Sequence, residues 1–467
     1  MKRLLTLLLY LPLAFSISPQ ESASDLQKNF VHRGYLGWVR DLASEPRPGE
    51  EWPVISIDQQ LIRDYDSAAT TLSRDGINEF EIWGLLASHS YPATLPLRFP
   101  EERILHARAI VGAVRRHGIR VLAGTGIYSW GFDAIAATHP EIACPNSRQL
   151  VNPTEELSWQ FQRAIIDALF SLGVDGIELQ PGDQGRCQCG PRCAALGDDA
   201  AYYATIIQQS TRYVRDNYPG KLLFIGGYGI DLSHPANQQQ LNQVLRGLDV
   251  YTDVGNTTAA FRKRVTAQIH PAALAGIAAP GISPPQHLAR DHWFLPTFQH
   301  QVRQLQALYA DGGRASENFM RIFANPSDAI SMRLIARYEI NMNRDWCEIL
   351  RELVREIYEP RDEETTKKLA SLFIDAESAY FDNAQANPDF DLELEPLIGS
   401  QAAPLTYLTK KMKHEQRVAY QNRLRTILSN AQEIQPKVRN QAQMSRILIC
   451  LRNVISDIDT VNAAQSE

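Results

Sequence analysis

One segment of the sequence places polar side chains where a strand is predicted to end. Glu178 and Gln180 alternate on one face of a strand predicted over residues 174–179, and Asp183 lies just beyond it. A carboxylate at the rim of a cleft acts as a general acid when desolvation raises its pKa. The spacing alone is equally compatible with a turn- or helix-capping aspartate at position 183. The case for Glu178 is weaker, because an inward strand carboxylate can instead form an ion pair with an arginine inside a barrel.

The cysteines form a second group with chemical potential. The six are Cys144, Cys187, Cys189, Cys193, Cys347 and Cys450. The first four fall in two loops predicted to lie above neighbouring strands, which allows a structural four-thiolate zinc site. Their spacing is not a paired C-x2-C set, and an even count in an exported chain also suits two disulfides, or one disulfide with free thiols. The last two lie in apolar helical patterns and are predicted to be buried thiols.

Aromatic and polar side chains also follow the predicted strands and are candidates for substrate binding. The apolar face of a sugar stacks on aromatic rings, while arginine, histidine and amide groups hold hydroxyl or carboxylate groups. For each aromatic residue taken singly, packing in the core is an equal alternative. The candidates are Trp38, Arg40, Trp83, His89, Tyr128, Trp130, Gln180, Tyr228, His292 and Trp293.

The elements that must position these residues alternate between short apolar runs and longer amphipathic ones. Strands are predicted over residues 34–39, 78–83, 119–124, 174–179, 221–225 and 248–253, with a seventh within 273–282. Helical patterns cover residues 61–72, 100–117, 154–172 and 198–217. Alternation of this kind predicts βαβ units and a mostly parallel sheet.

The length of the alternating region favours a closed barrel. Residues 33–360 divide into eight units of about 41 residues, which suits a (β/α)8 TIM barrel with enlarged loops. The alternative is a doubly wound open sheet, but no G-x-G-x-x-G or P-loop motif follows any predicted strand. In a parallel barrel the chemistry lies at the carboxyl ends of the strands, which is where the candidate residues fall.

Several motifs resemble a known family. Asp183 followed by the C-x-C-x3-C motif of residues 187–193 resembles the α-glucuronidase-like barrel enzymes. The nearest match is the bacterial family called domain of unknown function 4838, which is related to glycoside hydrolase family 67. Residues 139–146 resemble the family's loop after the third strand, and residues 333–360 resemble the helices and proline that end its barrels. The resemblance covers residues 33–360 and implies a glycoside-hydrolase barrel.

The resemblance also implies catalytic roles. In the family 67 enzymes an acidic residue at the end of the fourth strand protonates the glycosidic oxygen, and Asp183 is the matching position here. This chain departs from the family in having Asp rather than the longer Glu. Hydrolysis needs a second carboxylate, for which Asp253 and Glu317 are the candidates. A carboxylate separation of about 5 Å suits a nucleophile and one of about 6.5–9.5 Å suits activation of water. The resemblance is to an inverting family, which favours water activation.

The ends of the chain and its composition indicate location and partners. Residues 1–18 contain a basic start, an apolar run and a small-x-small site, which predict a removed signal peptide and a secreted or periplasmic protein. No later stretch reaches the length of a membrane span. The net charge of −6, with no long basic run, argues against a nucleic-acid partner. Residues 361–467 are charged and helical in period, which predicts a C-terminal helical region. The oligomeric state stays open.

Three hypotheses for function follow. The first is a secreted glycoside hydrolase that cleaves a poly- or oligosaccharide with Asp183 as the acid and Asp253 or Glu317 as its partner. It needs no cofactor beyond the structural zinc that the cysteines allow. The second is a non-catalytic glycan-binding barrel that keeps an aromatic cleft but lacks turnover. The third is a cell-envelope scaffold that binds partners through residues 361–467.

Overall fold

The computed structural model describes residues 28–44, 56–87, 90–182, 184–227, 244, 247–253, 274–278, 293–310, 313–318, 325–383 and 412–464. Four candidate residues, His89, Asp183, Tyr228 and His292, lie outside the described residues, as does the predicted signal peptide.

Eight parallel strands form a closed barrel. In chain order they are β1 (His32–Trp38), β2 (Glu79–Trp83), β3 (Arg120–Gly126), β4 (Gly176–Gln180), β5 (Leu222–Gly226), β6 (Val250–Asp253), β7 (Leu274–Ala278) and β8 (Ala315–Asn318). Each strand pairs with the next, and β8 pairs with β1 to complete the ring. The predicted (β/α)8 barrel is therefore confirmed, and the open doubly wound sheet is excluded.

The eighth strand has no apolar run, and sequence patterns did not predict it. Its four residues are Ala-Ser-Glu-Asn. Ser316 and Asn318 alternate with the inward-facing residues, and both side chains donate hydrogen bonds to Glu339 in the helix behind the strand. A buried polar side chain is tolerated when it is hydrogen-bonded, so the strand is stabilised by polar contacts on its outer face.

Helices surround the barrel. Those within the alternating region are α1 (Gln59–Asp75), α2 (Glu101–Arg115), α3 (Asp133–Thr138), α4 (Glu156–Phe170), α5 (Pro191–Ala194), α6 (Asp199–Asn217), α7 (Phe298–Ala310), α8 (Pro326–Ile340) and α9 (Trp346–Tyr358). Helix α1 illustrates how the sequence sets these boundaries: Asp58 caps its first turn by accepting from the Leu61 backbone N–H, and Gly76 ends it with a φ of 106°.

Strand alternation divides the core into an inner and an outer part. Leu122, Phe224, Val250 and Ala315, from four different strands, form a small apolar cluster inside the barrel. Residues of opposite parity, such as Phe80 and Ile82 in β2, belong to the larger core between the strands and the helices. The inner positions of β2 are then Glu79, Glu81 and Trp83, because side chains two apart share a face.

After the barrel, the described residues form three long helices: α10 (Glu363–Asn383), α11 (His414–Ile434) and α12 (Gln441–Ala464). Helix α10 packs on α11 and α11 packs on α12, while α12 also packs on α8 and α9. Trp293, in the segment before α7, donates its indole N–H to Asp457 of α12 at 2.8 Å. None of the described helices is both long enough and apolar enough to span a lipid bilayer.

Candidate functional site

Three tryptophans pack together at the carboxyl end of the barrel. Trp38 and Trp83 are the last residues of β1 and β2, and Trp130 lies in the loop after β3. Their ring centroids are 5.1–5.5 Å apart. Gly124 makes room for this cluster, because a Cβ there would lie 2.2 Å from two indole atoms of Trp83. Trp38 is half-buried and the other two are buried, so the cluster presents one indole toward the exterior.

Three inward-facing glutamates lie next to these rings. They are Glu81 of β2, Glu178 of β4 and Glu317 of β8, and we call them the carboxylate layer. Each has 2% of its surface exposed, and their nearest carboxylate oxygens lie within 4.8 Å of one another. All three come from even-numbered strands, as expected for one layer of side chains inside a (β/α)8 barrel. Such layers are usually filled by branched apolar residues, so three acids together are a departure from ordinary packing.

Trp83 connects the carboxylate layer to the tryptophan cluster. Its indole N–H donates to Glu178 Oε2 at 2.8 Å and also lies 3.2 Å from Glu81 Oε1. On the other side of the Glu178 carboxylate lies Gly226, where a Cβ would be 2.4 Å from Oε1. The position of Glu178 is therefore fixed by an indole donor and by the lack of a side chain at position 226.

The environment of Glu178 favours its protonated form. Burial raises the pKa of this carboxyl well above its usual range, and the negative charge of Glu317 raises it further. Among the described residues, no lysine, arginine or histidine forms an ion pair with Glu178, so the alternative of a barrel arginine is not what the structure shows. Burial of this kind favours the neutral acid over the carboxylate, and a neutral acid is the form that general-acid chemistry requires.

A second acidic position lies at the opposite end of the barrel. Glu79 forms an ion pair with Arg120 and a hydrogen bond of 2.7 Å with His32 Nδ1. These three residues, which we call the basal group, are the first residues of β2, β1 and β3. The amino-terminal end of a barrel contributes to stability rather than to chemistry, and charge balance in the basal group agrees with that role.

The structure locates the other described candidates as follows. Gln180 ends β4 and is half-buried, and its backbone carbonyl accepts from the Ile127 N–H. Arg40 is buried in the turn after β1. Tyr128, with a φ of 56°, is buried and donates its hydroxyl to Gln209 of α6. Asp253 is the last residue of β6. Trp38, Trp83 and Trp130 are thus brought together, whereas Tyr128 contacts α6 and Trp293 contacts α12.

Sequence reasoning did not single out Glu81. The signal was present in the segment Glu79-Phe-Glu-Ile-Trp83, which was predicted to be a strand. Two acids at alternate positions of a strand share one face, and that face points into the barrel when the intervening residues are Phe and Ile. The pairing of Glu81 with Glu178 and Glu317 requires the closed barrel, which no local pattern contains.

The structure also brings together the four cysteines of the two loops. Cys144 and Cys187 form a disulfide with a Cα–Cα distance of 5.8 Å. Cys189 Sγ lies 2.7 Å from Cys144 Sγ, and Cys193 Sγ lies 3.1 Å from Cys187 Sγ. Burial and, to a smaller extent, the neighbouring Cys193 together raise the pKa of the Cys189 thiol to about 12. Of the two remaining cysteines, Cys450 is buried as predicted, whereas Cys347 is half-buried.

Comparison with known proteins supports the fold and no finer assignment. No family model and no curated protein matches the chain, so the resemblance to domain of unknown function 4838 and family 67 stays a prediction. Many solved structures resemble it, among them the following three. The first is a GH138 enzyme targeting pectin rhamnogalacturonan II, with a TM-score of 0.62 and 10% identity, covering 93% of this chain and 58% of that one.

The second is CpGH84B, with a TM-score of 0.50 and 9% identity, covering 94% of this chain and 70% of that one. The third is a mutant of the Thermobaculum terrenum O-GlcNAc hydrolase, with a TM-score of 0.52 and 11% identity, covering 93% of this chain and 84% of that one. At such low identity the similarity shows the fold alone. The chain therefore has a fold similar to that of glycoside hydrolases, and spans 58% of the length of the first of them.

Proposed function

We propose that this protein is an exported glycoside hydrolase that cleaves a glycosidic bond of a poly- or oligosaccharide at the carboxyl end of its barrel. The observation that carries the proposal is the carboxylate layer, three buried acids held beneath a tryptophan cluster on the side of the barrel where chemistry is expected. The similarity in fold to glycoside hydrolases supports the reaction class.

Asp183 and Asp253 are the two carboxylates to which we assign the catalytic roles. Asp183 follows β4 by three residues in the sequence, and Asp253 ends β6. The carboxyl ends of both strands lie at the same rim of the barrel, because all eight strands are parallel. Asp183 donates the proton to the glycosidic oxygen, and Asp253 acts as its partner on the other side of the sugar.

The carboxylate layer has a supporting electrostatic role in this proposal. Glycoside hydrolysis passes through a transition state with positive charge on the sugar ring. The negative charge of Glu317, fixed beneath the rim in a water-poor barrel interior, stabilises that positive charge more strongly than solvent would. Of the two candidate partners, Glu317 takes this role because it lies in the layer beside Glu178, whereas Asp253 ends its strand.

The tryptophan cluster suits the binding of a sugar. Trp38 ends its strand with its ring partly exposed, and it packs at 5.1 Å on Trp130, which fixes the plane of the indole. A fixed aromatic ring at a cleft offers a stacking surface for the apolar face of a pyranose at low entropic cost. Export is proposed from the basic and apolar start of the sequence, and the mass of the amino-terminal peptide of the mature protein tests it.

The test is a panel of glycosides and oligosaccharides assayed with the wild type and with Asp183→Asn, Asp253→Asn and Trp38→Ala. We expect each aspartate variant to lose about 10²–10⁴-fold in kcat with little change in binding. Trp38→Ala should instead raise KM. Glu415→Gln, an exposed acid in the first turn of α11, is the control and should match the wild type.

Two outcomes contradict the proposal. If the wild type binds a glycan but turns over nothing in the panel, and Asp183→Asn binds it equally well, the protein is a glycan-binding barrel. If neither binding nor turnover is found, while residues 361–467 are required to retain an envelope partner, the scaffold hypothesis replaces it.

A further inference from the structure

The four-cysteine cluster joins two loops at the same end of the barrel as the proposed site. Cys144 lies between α3 and α4, in the connection from β3 to β4. The other three lie between β4 and α6, with Cys193 inside the short helix α5. Cys187 and Cys193 are fully buried and Cys144 nearly so, while Cys189 is half-buried. The cluster is therefore shielded from bulk water.

The sulfurs are arranged as one group rather than as separate pairs. Cys144 is bonded to Cys187 and is also in contact with Cys189, and Cys187 is also in contact with Cys193. The Sγ atoms of Cys144, Cys187 and Cys189 all lie within 4.8 Å of one another. A framework of two disulfides requires one sulfur neighbour for each cysteine, whereas here two of the four sulfurs have two. Cys193 Sγ adds a fourth sulfur to this group through its contact with Cys187, and four is the ligand number that structural zinc takes.

The two loops are held together by contacts that do not involve sulfur. The Asn146 side chain donates to the Arg186 carbonyl at 3.0 Å and accepts from the Gln188 N–H at 3.1 Å. Gly190, with a φ of 80°, and Pro191 at the start of α5 turn the chain so that Cys193 returns to the cluster. The cysteines are thus pre-positioned by the backbone, which lowers the cost of gathering four ligands.

Charge in the surroundings also suits a metal–thiolate group. Four thiolates around a divalent cation carry a net negative charge, which nearby donors and cations stabilise. The Arg186 guanidinium donates to the carbonyl of Cys193 at 3.4 Å and to that of Gly197 at 2.9 Å. It therefore lies against the segment that supplies three of the four sulfurs.

We propose that Cys144, Cys187, Cys189 and Cys193 bind one zinc ion as a tetrathiolate site, and that the Cys144–Cys187 disulfide belongs to its oxidised, metal-free form. The two forms interconvert through a dithiol reductant, which gives two electrons and two protons to the disulfide and is itself oxidised to a disulfide. Zinc then displaces the protons of the four thiols, which pass to water. The proposal does not depend on the protein being a glycosidase.

A zinc ion at this position would cross-link the loop after β3 to the loop after β4. Asp183 precedes Cys187 by four residues in the sequence. The metal would therefore restrict the segment that carries the proposed acid, in the way that a disulfide restricts a loop but with four points of attachment. Its role would be structural, since all four ligands come from the protein.

The experiment measures bound metal on the full chain. The protein is reduced with a dithiol under anaerobic conditions, supplied with zinc sulfate, and freed of excess metal before elemental analysis. We expect about one zinc per chain for the wild type, and a loss of at least tenfold in zinc affinity for Cys189→Ser and Cys193→Ser. Cys347→Ser and Cys450→Ser are the matched controls, and both should keep full occupancy.

Cobalt(II) substitution of the wild type provides a readout that does not require any variant to fold. A tetrathiolate site gives intense thiolate-to-cobalt absorption with the d–d bands of a tetrahedral ion. The proposal is overturned if the reduced wild type binds no zinc, if Cys189→Ser keeps full occupancy, or if cobalt shows only octahedral bands. A chain that forms two disulfides within the cluster and takes up no zinc after reduction also overturns it.

Discussion

The interior of the barrel contains glutamates in two contrasting environments, one with a cationic partner and one among other acids. Glu79 and Glu81 are two residues apart on one face of β2, so one points into the basal group and the other into the carboxylate layer. Glu79 forms an ion pair with Arg120 and a hydrogen bond with His32. In the carboxylate layer, the described residues form no ion pair with Glu81 or Glu178. A shift of about 6–7 Å along one strand thus separates a glutamate that is paired with a cation from a layer of closely spaced, buried glutamates.

This difference follows the general division of a (β/α)8 barrel. Charge at the amino-terminal end is compensated, as expected where selection acts on stability alone. Acids gathered near the carboxyl end cost folding energy through burial and mutual repulsion, and such a cost is retained where it serves a site. The two groups can therefore be distinguished by the sign of the stability change when each is altered.

The largest expected effect is in the basal group. Arg120→Met removes one cation from a buried glutamate and leaves Glu79 with His32 alone, so we expect a loss of about 3 kcal/mol in the free energy of unfolding. Chemical denaturation of the variant and the wild type measures it. Arg212→Met, at an exposed position in α6, is the control and should change stability by less than about 0.5 kcal/mol. A loss no greater than that of the control would show that the basal group is not needed for stability.

The next effect tests how the tryptophan cluster holds the carboxylate layer. In Gly124→Ala the new Cβ meets the rigid indole of Trp83, which is packed between Trp38 and Trp130 and cannot move cheaply. We expect a loss of about 2 kcal/mol from overpacking. Displacement of the indole also removes its hydrogen bond to Glu178, so kcat should fall with it. Unchanged kinetics in a folded variant would separate Trp83 from the activity.

In the carboxylate layer the sign of the stability change reverses. Glu178→Gln removes a group that resists ionisation and keeps an acceptor for the Trp83 indole, so we expect a gain of about 1 kcal/mol at pH 8. The pKa of Glu178 is raised by folding. Its contribution to stability is therefore fully present below the usual pKa of about 4.5 and is lost as the pH rises through the folded value. The advantage of the variant should vanish at pH 4.

Unfolding curves of both proteins across that range measure the difference. Burial raises the pKa values of Glu339 and Glu377 to about 7, and these two groups give the wild type and the variant the same pH slope, which cancels in the comparison. A variant that is less stable than the wild type at every pH would mean that Glu178 is a stabilising residue like Glu79.

Most of the fold could be predicted from the sequence because local residue patterns determine most of its strands and helices. The second strand was expected over residues 78–83 and is found at Glu79–Trp83, and the helix expected over 198–217 is found at Asp199–Asn217. Apolar runs and capping residues fix such elements without reference to the rest of the chain. The eighth strand was not predicted because it is polar and is stabilised by Glu339, which lies more than twenty residues away in the sequence.

The site was predictable only in part, for a related reason. Strand-end tryptophans and Glu317 could be named one by one, since each follows or lies in a recognisable segment. Their grouping depends on the order and closure of the strands, which bring β2, β4 and β8 to one layer. The partner of Glu178 illustrates this: an arginine was one alternative for an inward acid, and the structure supplies the Trp83 indole instead.

The smallest expected effect on stability comes from Gly226, and it gives the most specific test of the comparison. In Gly226→Ala the new Cβ would lie 2.4 Å from Glu178 Oε1, which is the free end of a flexible side chain rather than a packed ring. The carboxyl can move aside, so we expect a loss of less than about 1 kcal/mol. Because that movement shortens or breaks the contact with Trp83, the acidic limb of the pH–rate profile should shift while KM stays near that of the wild type. Gly112→Ala, in α2, is the matched control, since its new Cβ would meet nothing within 4 Å and the variant should match the wild type. If Gly226→Ala leaves both kcat and the pH profile unchanged, the position of Glu178 does not matter to the reaction. The carboxylate layer would then be a group of buried acids that the fold tolerates without a functional role.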